Sequence, residues 1–335
     1  MPREPAWWYR PGGLTSRALT PIARIFAAVA EARLASNAGY RSSLPVICVG
    51  NFTAGGSGKT PFTAMLAAHL IARGERPVVL TRGFGGRTVG PHWVAGDTDR
   101  AVMVGDEPLL LARVAPTLVA RDRRAGACAI EDANTASVIV MDDGLQNPAL
   151  IKDLSIAIVD GARGIGNACV IPAGPLRAPL AAQGRLVDLI VFNGPFEPPL
   201  AAALSRASPA PQLTATLVPA GDVAWLRGQR IVAFAGIGNP ARFFDHLTRL
   251  GADLADAVAF PDHAPYRPAD ADRLLAIAAR HRTRLITTEK DAVRLQGDPG
   301  LAVLCAVTAT LPVRMELDAD GLAALDRRLD RLLRR

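Results

Sequence analysis

Short apolar runs rich in β-branched residues recur along the chain and alternate with helical periodicity. Residues 45–50, 77–81, 136–141, 155–159 and 186–192 have the length and composition of buried parallel strands. The segment between the first two runs predicts a helix over residues 59–73. Strands that alternate with helices predict an α/β fold, in which helices cover both faces of a mostly parallel sheet.

A second strand and helix series follows a change in composition. Pro, Ala and Ser cluster over residues 195–211, which predicts a domain boundary. Beyond it, strands are predicted at 230–234, 284–288 and 301–307, and the extended segments 212–218 and 311–317 are placed to pair as a two-stranded linker. We expect a larger domain (residues 1–210), a smaller α/β domain with its linker strands (211–317) and a C-terminal amphipathic helix (318–335).

Composition and net charge indicate which classes of ligand the protein attracts. The 335 residues carry a formal net charge of +7, which attracts phosphate in nucleotides, nucleic acids or anionic membranes. The basic residues are mostly arginine, and lysine occurs only at Lys59, Lys152 and Lys290. The four cysteines form no C-x-x-C spacing, so we expect reduced thiols and neither a disulfide framework nor a zinc site.

The N-terminal region combines apolar, aromatic and basic residues. Its longest apolar run, residues 25–30, is too short for a spanning helix, which needs about 20 apolar residues. Trp7, Trp8 and Tyr9 precede a helical stretch of apolar and basic residues at about 19–34. Two alternatives stay open: this helix lies on an anionic membrane surface, or it packs on the domain or on a partner.

A glycine-rich loop follows the first predicted strand and opens the first predicted helix. It comprises Thr53, Ala54, Gly55, Gly56, Ser57, Gly58, Lys59 and Thr60. Such a loop lets backbone N–H groups cradle phosphate oxygens at a helix N-terminus, with the Lys on the β- and γ-phosphates and the Thr on Mg²⁺. We call it the P-loop and predict an ATP site, although Thr53 replaces the usual first glycine.

Acidic residues occur at two further positions. Asp142 and Asp143 end an apolar strand, where a carboxylate typically holds the Mg²⁺ of a P-loop protein. Asp106 and Glu107 are adjacent, and such a pair is suited to accepting a hydroxyl proton and neutralising charge near the γ-phosphate. From the residues alone, the second pair is also consistent with a solvated first turn of a helix.

Two proline-bounded loops complete the candidates. In the predicted smaller domain, Asp262 and His263 are suited to proton handling, and a lone surface histidine is the alternative. The loop Pro172-Ala173-Gly174-Pro175-Leu176-Arg177 presents an arginine that either contacts phosphate or only forms a turn.

An ordered set of motifs is more specific than any one of them. The set consists of residues 50–61 (GNFTAGGSGKTP), 82–86 (RGFGG), 105–108 (GDEP), 142–146 (DDGLQ), 172–177 (PAGPLR), 236–240 (GIGNP), 262–266 (DHAPY) and 288–293 (TEKDAV). From about residue 5 to 317, the chain resembles the tetraacyldisaccharide 4′-kinase (lipid A 4′-kinase) family of Gram-negative bacteria.

The resemblance implies a peripheral enzyme at the cytoplasmic face of the inner membrane. It implies phosphorylation of the 4′-hydroxyl of a tetraacylated glucosamine disaccharide 1-phosphate with ATP and Mg²⁺. Asp106 would be the catalytic base paired with His263, and Glu107 and Asp142 would join Thr60 at the metal. We expect the lipid disaccharide and the membrane surface as partners, and no nucleic acid. The fold implied is a P-loop NTPase-type domain and a smaller α/β domain joined by a two-stranded linker.

The chain departs from the family pattern at Phe84, where tyrosine is usual, at Leu145 and Asn147, and in the loop at residues 162–167. Two other functions remain to be distinguished. A GTPase or metallochaperone normally carries Asn-Lys-x-Asp, and the nearest match, residues 288–291, has its Lys displaced by one position. A nucleotide-gated membrane adaptor would need no acceptor substrate.

Overall fold

The computed structural model describes residues 4–36 and 39–333. Its strands are β1 Val46–Gly50, β2 Pro77–Thr81, β3 His92–Trp93, β4 Thr117–Val119, β5 Val138–Asp142, β6 Leu154–Asp160, β7 Leu189–Asn193, β8 Gln212–Pro219, β9 Arg230–Ala235, β10 Asp253–Ala259, β11 Arg284–Thr288, β12 Thr308–Leu311 and β13 Val313–Leu317. Its α-helices are α1 Leu14–Leu34, α2 Lys59–Ala72, α3 Ala101–Val104, α4 Asp106–Ala112, α5 Arg123–Ala133, α6 Leu180–Gly184, α7 Pro198–Ala207, α8 Pro240–Arg249, α9 Pro268–His281, α10 Glu289–Leu295, α11 Ala302–Val307 and α12 Ala319–Leu333.

The larger sheet has the order β13-β8-β7-β6-β1-β5-β2-β4-β3. Its pairs are parallel except β13 with β8 and β3 with β4. In β1, Val46 and Cys48 face one core while Ile47 and Val49 face the other, because successive strand side chains point to opposite faces. Helices α5 and α7 cover the first face, and α2 and α12 cover the second. The predicted doubly covered α/β sheet is therefore confirmed.

The smaller sheet is entirely parallel, in the order β10-β9-β11-β12. Helices α9 and α11 pack on one face and α8 on the other. The chain leaves the larger sheet along β8 and returns along the antiparallel β13, where the Ala220 amide donates to the Pro312 carbonyl. The predicted pairing of the two linker segments is therefore present.

Two sequence-based boundaries require correction. Strand β8 hydrogen-bonds to β7, so the linker strands belong to the edge of the larger sheet rather than to a separate unit at 211–317. Helix α12 lies within the predicted C-terminal helical segment, and its Leu325, Leu329 and Leu332 enter the core of the larger domain. The Pro- and Ala-rich stretch 195–211, predicted as a domain boundary, contains α7, whose Leu204 is buried in the core of the larger domain.

The predicted strand over residues 301–307 is wrong. Residues 302–307 form α11, and the fourth strand of the smaller sheet is β12, which follows it. Leu304 is buried in this segment while Val303 and Val307 are exposed. A short apolar run does not distinguish a helix from a strand. In this segment only the helical face that carries Leu304 is buried against a core.

The N-terminal helix α1 begins at Leu14, earlier than predicted. No helix among the described residues is long and apolar enough to cross a membrane. Trp7, Trp8 and Tyr9 form a 3₁₀ turn and are half-buried, and the Trp8 indole donates to the Pro172 carbonyl at 3.0 Å. The aromatic residues therefore pack on the domain, whereas the outer face of α1 remains exposed and apolar.

Candidate active site

The P-loop lies between β1 and α2, as the sequence predicted. Gly55 and Gly58 have φ of +103° and +94°, which a residue with a side chain rarely adopts. A Cβ at Gly58 would lie 2.3 Å from Asn193 Nδ2, so glycine is also required by packing. The Ala54 amide donates to the Pro175 carbonyl at 2.7 Å, which anchors the start of the loop.

Lys59 is the first residue of α2 and is buried. Its Nζ lies 3.7 Å from Asp143 Oδ1. Arg177 holds the same carboxylate through two contacts of 2.7 and 3.2 Å, and its Nε donates to the Thr53 carbonyl at 3.1 Å. Burial by itself raises the pKa of Asp143, but Lys59 and Arg177 outweigh it and hold that pKa well below its usual range. Arg177 therefore braces the P-loop and the carboxylate beside Lys59.

Asp142 ends β5 and is buried, with Thr63 and Thr81 donating to its carboxylate at 3.2 and 3.3 Å. Burial, reinforced by the charges of Glu107 and Asp143, raises its pKa to about 7. Mutually repelling carboxylates next to a phosphate-binding loop fit a divalent cation, because its charge removes the cost of keeping them ionised.

Asp106 opens α4 and is 3% exposed, so the alternative of a solvated helix turn is excluded. His263 comes from the smaller domain, and its Nδ1 lies 3.2 Å from Asp106 Oδ2. Arg294 Nε is 3.4 Å from the same oxygen. Burial alone raises the pKa of Asp106, but Lys290, His263 and Arg294 outweigh it and lower the pKa to about 2. The two domains thus meet at an ionised, buried carboxylate.

Lys290 is a site residue that the sequence analysis did not assign. Its Nζ lies 3.1 Å from Glu107 Oε1 and 3.1 Å from His263 Nε2. An ammonium only donates, so His263 Nε2 accepts and the ring proton lies on Nδ1, which faces Asp106 Oδ2. Burial lowers the pKa of Lys290, but the facing carboxylates outweigh it and raise that pKa overall. The scarcity of lysine in an arginine-rich chain is the signal that could have indicated this residue.

One group of acidic and histidine side chains is close enough to hold a metal ion. Among the described residues, the three metal-competent side chains that lie within 4.8 Å of one another are Asp106, Glu107 and His263. Glu107 thus borders both the carboxylate–histidine pair and Asp142, whose pKa it raises. Mg²⁺ prefers oxygen ligands, so carboxylates suit it better than the imidazole of His263.

The structure shows the surroundings of three positions that depart from the family pattern. Phe84 packs edge-on against His263, with ring centroids 4.9 Å apart, so an apolar ring contact occupies the position where tyrosine is usual. Leu145 is part of the larger core, and the Asn147 side chain accepts from the Ala149 amide at 2.8 Å within its turn.

Residues 288–291 do not form a base-reading loop. Asp291 is fully buried and accepts from the Tyr266 hydroxyl at 2.6 Å and from the Gly236 amide at 2.9 Å. Its carboxylate is therefore occupied by hydrogen bonds within the smaller domain, which disfavours the guanine-binding alternative.

A phosphate-binding loop with a buried lysine, and a carboxylate–histidine pair joined across two domains, define a P-loop phosphotransferase. Residues 15–333 match the family described as LpxK, tetraacyldisaccharide-1-P 4′-kinase. The chain belongs to this tetraacyldisaccharide 4′-kinase family.

Similar proteins cover nearly the whole chain. The tetraacyldisaccharide 4′-kinase of Nitrobacter winogradskyi is 45% identical over 98% of this chain and 100% of its own length. That of Methylobacterium sp. (strain 4-46) is 49% identical over 98% of this chain and 97% of its own length. The crystal structure of LpxK from Aquifex aeolicus in complex with ATP has a TM-score of 0.75 at 24% identity, covering 95% of this chain and 99% of that one. This structural similarity supports the two-domain α/β fold described above.

Proposed function

We propose that this chain transfers the γ-phosphoryl group of ATP to the 4′-hydroxyl of a tetraacylated glucosamine disaccharide 1-phosphate in lipid A biosynthesis. The observation that carries the proposal is the buried, ionised Asp106 carboxylate, which His263 and Arg294 contact in the cleft between the domains. Family membership indicates the identity of the acceptor substrate, and the P-loop indicates where the ATP phosphates bind.

The residues divide the reaction among them. Asp106 takes the proton of the sugar hydroxyl as the hydroxyl oxygen forms its bond to the γ-phosphorus, and the bond from that phosphorus to the bridging oxygen breaks to release ADP. His263 donates Nδ1–H to Asp106 and fixes the carboxylate orientation. The Lys59 ammonium and the P-loop N–H groups stabilise the charge that develops on the phosphate oxygens.

We propose that Thr60, Glu107 and Asp142 hold Mg²⁺ with the nucleotide. The support is the raised pKa of Asp142, which burial and the neighbouring Glu107 and Asp143 cause. A bound Mg²⁺ would neutralise charge on the phosphates and on these carboxylates.

Transfer of label distinguishes this function from the two alternatives. Purified protein with γ-³²P-ATP and Mg²⁺ should label the disaccharide lipid at its 4′ position, and excess EDTA should abolish the transfer. A nucleotide-gated adaptor would release or retain the label without passing it to lipid. A GTPase would prefer GTP and produce free phosphate, and either result would reject the kinase proposal.

We propose further that α1 docks on the cytoplasmic face of the inner membrane. Its exposed apolar side chains include Ile22, Ile25, Phe26 and Val29, which lie on one helical face at spacings of three and four residues. Arg17, Arg24 and Arg33 on the same helix are suited to anionic headgroups. The acceptor is itself a lipid, so such docking would bring the cleft to its substrate.

Two charges on this face should release the protein from membranes. We expect the double variant Ile25→Glu with Phe26→Glu to move the protein from the pellet to the supernatant in sedimentation with vesicles that contain anionic lipid. The reason is that two carboxylates on the lipid-facing side of α1 would oppose its insertion into the membrane surface. Val303→Glu adds a charge at an exposed apolar position of the smaller domain and is the matched control. Deletion of residues 1–36 is a poorer test, because Trp8 and Ser16 also hold residues 172–173. Unchanged pelleting of the double variant would place membrane binding elsewhere.

A further inference from the structure

An arginine of the smaller domain reaches into the larger domain beside the P-loop. Arg242, on α8, donates to Asn193 Oδ1 at 2.9 Å and to Asp160 Oδ2 at 3.3 Å. Asn193 and Asp160 end the neighbouring strands β7 and β6, and both are buried. The guanidinium thus enters a polar pocket at the carboxyl edge of the larger sheet, where parallel α/β sheets bind their ligands.

Asn193 continues this contact to the P-loop backbone. Its Nδ2 donates to the Ser57 carbonyl at 3.0 Å. In a planar trans peptide, the Ser57 carbonyl and the Gly58 N–H point in opposite directions. Holding the carbonyl toward Asn193 therefore fixes the direction of the Gly58 N–H, which is one of the donors available to a phosphate.

Arg242 and the Ser57 carbonyl together fix which way the Asn193 amide faces. A guanidinium only donates, so the amide oxygen must face Arg242 and the amide nitrogen is left for the Ser57 carbonyl. Without Arg242, Asn193 Oδ1 loses this donor, and the amide is held less firmly against the Ser57 carbonyl. Arg242 consequently reinforces the hydrogen bond from Asn193 to the P-loop.

The loop that precedes α8 docks on the same place. A Cβ at Gly238 would lie 3.2 Å from the Gly56 nitrogen, so the two backbones are close together. Arg163 Nη2, from the larger domain, donates to the Gly238 carbonyl at 3.0 Å. The motif at residues 236–240 therefore lies against the P-loop and carries Arg242 into place behind it.

We propose that Arg242 is a positioning residue that couples docking of the smaller domain to the geometry of the P-loop, acting through Asn193. This inference deepens the proposed function, because it adds a determinant of nucleotide binding to the same site. Docking of α8 orders the Gly58 amide, so the loop binds phosphates best when the smaller domain is in place.

Nucleotide affinity measures this coupling directly. We expect Arg242→Ala to raise the calorimetric Kd for ADP and the KM for ATP by about tenfold, as for loss of one charge-assisted hydrogen bond, while the KM for the lipid stays unchanged. Arg242→Gln retains a donor for Asn193 and should recover part of the affinity. It also serves as the test if the alanine variant does not fold.

The route through Asn193 has its own test. Asn193→Ala should weaken ADP binding similarly, and adding Arg242→Ala to it should change the Kd by less than about twofold, because groups that act as one unit are non-additive. If the fold-increases in Kd of the two single variants multiplied in the double variant, Arg242 would not act through Asn193. Wild-type ADP binding by folded Arg242→Ala and Arg242→Gln would overturn the proposal.

Arg249→Ala is the matched control, since Arg249 is an exposed arginine at the other end of the same helix. It should leave the Kd for ADP unchanged. A merely structural Arg242 would lower the melting temperature without a nucleotide-specific loss. If the wild-type protein bound ADP but phosphorylated no lipid, the proposed function would fail while the ADP titrations still decided the role of Arg242.

Discussion

Asp106→Ala should lower kcat by about 10²–10⁴-fold, the usual contribution of a positioned general base, with a smaller change in the KM for ATP. The sugar hydroxyl must lose a proton as its bond to phosphorus forms, and the ionised Asp106 carboxylate is the acceptor that the cleft offers. His263→Ala should also lower kcat strongly, because its Nδ1–H, 3.2 Å from Asp106, orients that carboxylate. Steady-state kinetics with varied lipid and ATP measures both effects.

The double variant tests whether the two residues act as a pair. Asp106→Ala with His263→Ala should be little slower than the slower single variant, since removing either partner already disables the unit. Losses that multiply would show that the residues contribute separately. Asp106→Asn keeps the shape of the buried side chain and separates loss of the base from loss of packing. Asp256→Asn, on the edge strand β10, is a control that should leave kcat unchanged.

Lys59→Ala should lower kcat by about 10²-fold or more, because the ammonium stabilises charge that develops between the β- and γ-phosphates. The folded structure should survive, since Asp143 would keep its two contacts with Arg177. Radiolabel transfer to lipid under saturating ATP measures the effect.

Lys59→Arg is the matched variant for charge. The buried position at the start of α2 suits a compact ammonium, so the larger planar guanidinium should restore little activity. Melting temperatures without nucleotide should stay close to the wild-type value for both variants. A near-normal kcat in Lys59→Ala would mean that residues 53–60 do not bind the transferred phosphate.

Local patterns predicted the P-loop because its requirements are local. A buried strand, glycines with positive φ and a lysine at a helix N-terminus are all encoded within residues 46–60, and the structure shows each of them. Asp142 was likewise placed at a strand end by the apolar run before it. The partnership of Asp143 with Lys59 and Arg177 was not predicted, because it depends on a turn with φ of +50° and on a loop from elsewhere in the chain.

The pairing of Asp106 with His263 was suggested only by family resemblance, and no spacing in the chain indicates it. The two residues come from different domains, and their contact exists because the smaller domain docks over the cleft. Burial is what changes the chemistry of Asp106, since the same residue in a solvated turn would lack the charges of Lys290 and Arg294 around it. Neither burial nor those charges can be read from the first turn of a helix.

By itself, the sequence determined the alternation of strands and helices, the phosphate-binding loop and the ordered motifs that indicate the family. These depend on periodicity and residue type over short stretches, where steric and hydrogen-bonding rules apply directly. Only the tertiary structure decided that the linker strands join the larger sheet, that residues 302–307 are helical, and that Lys290 and Arg242 reach the site. The physical reason is that each of these outcomes depends on which distant surface is available for burial or pairing, and that is fixed when the two domains fold and dock.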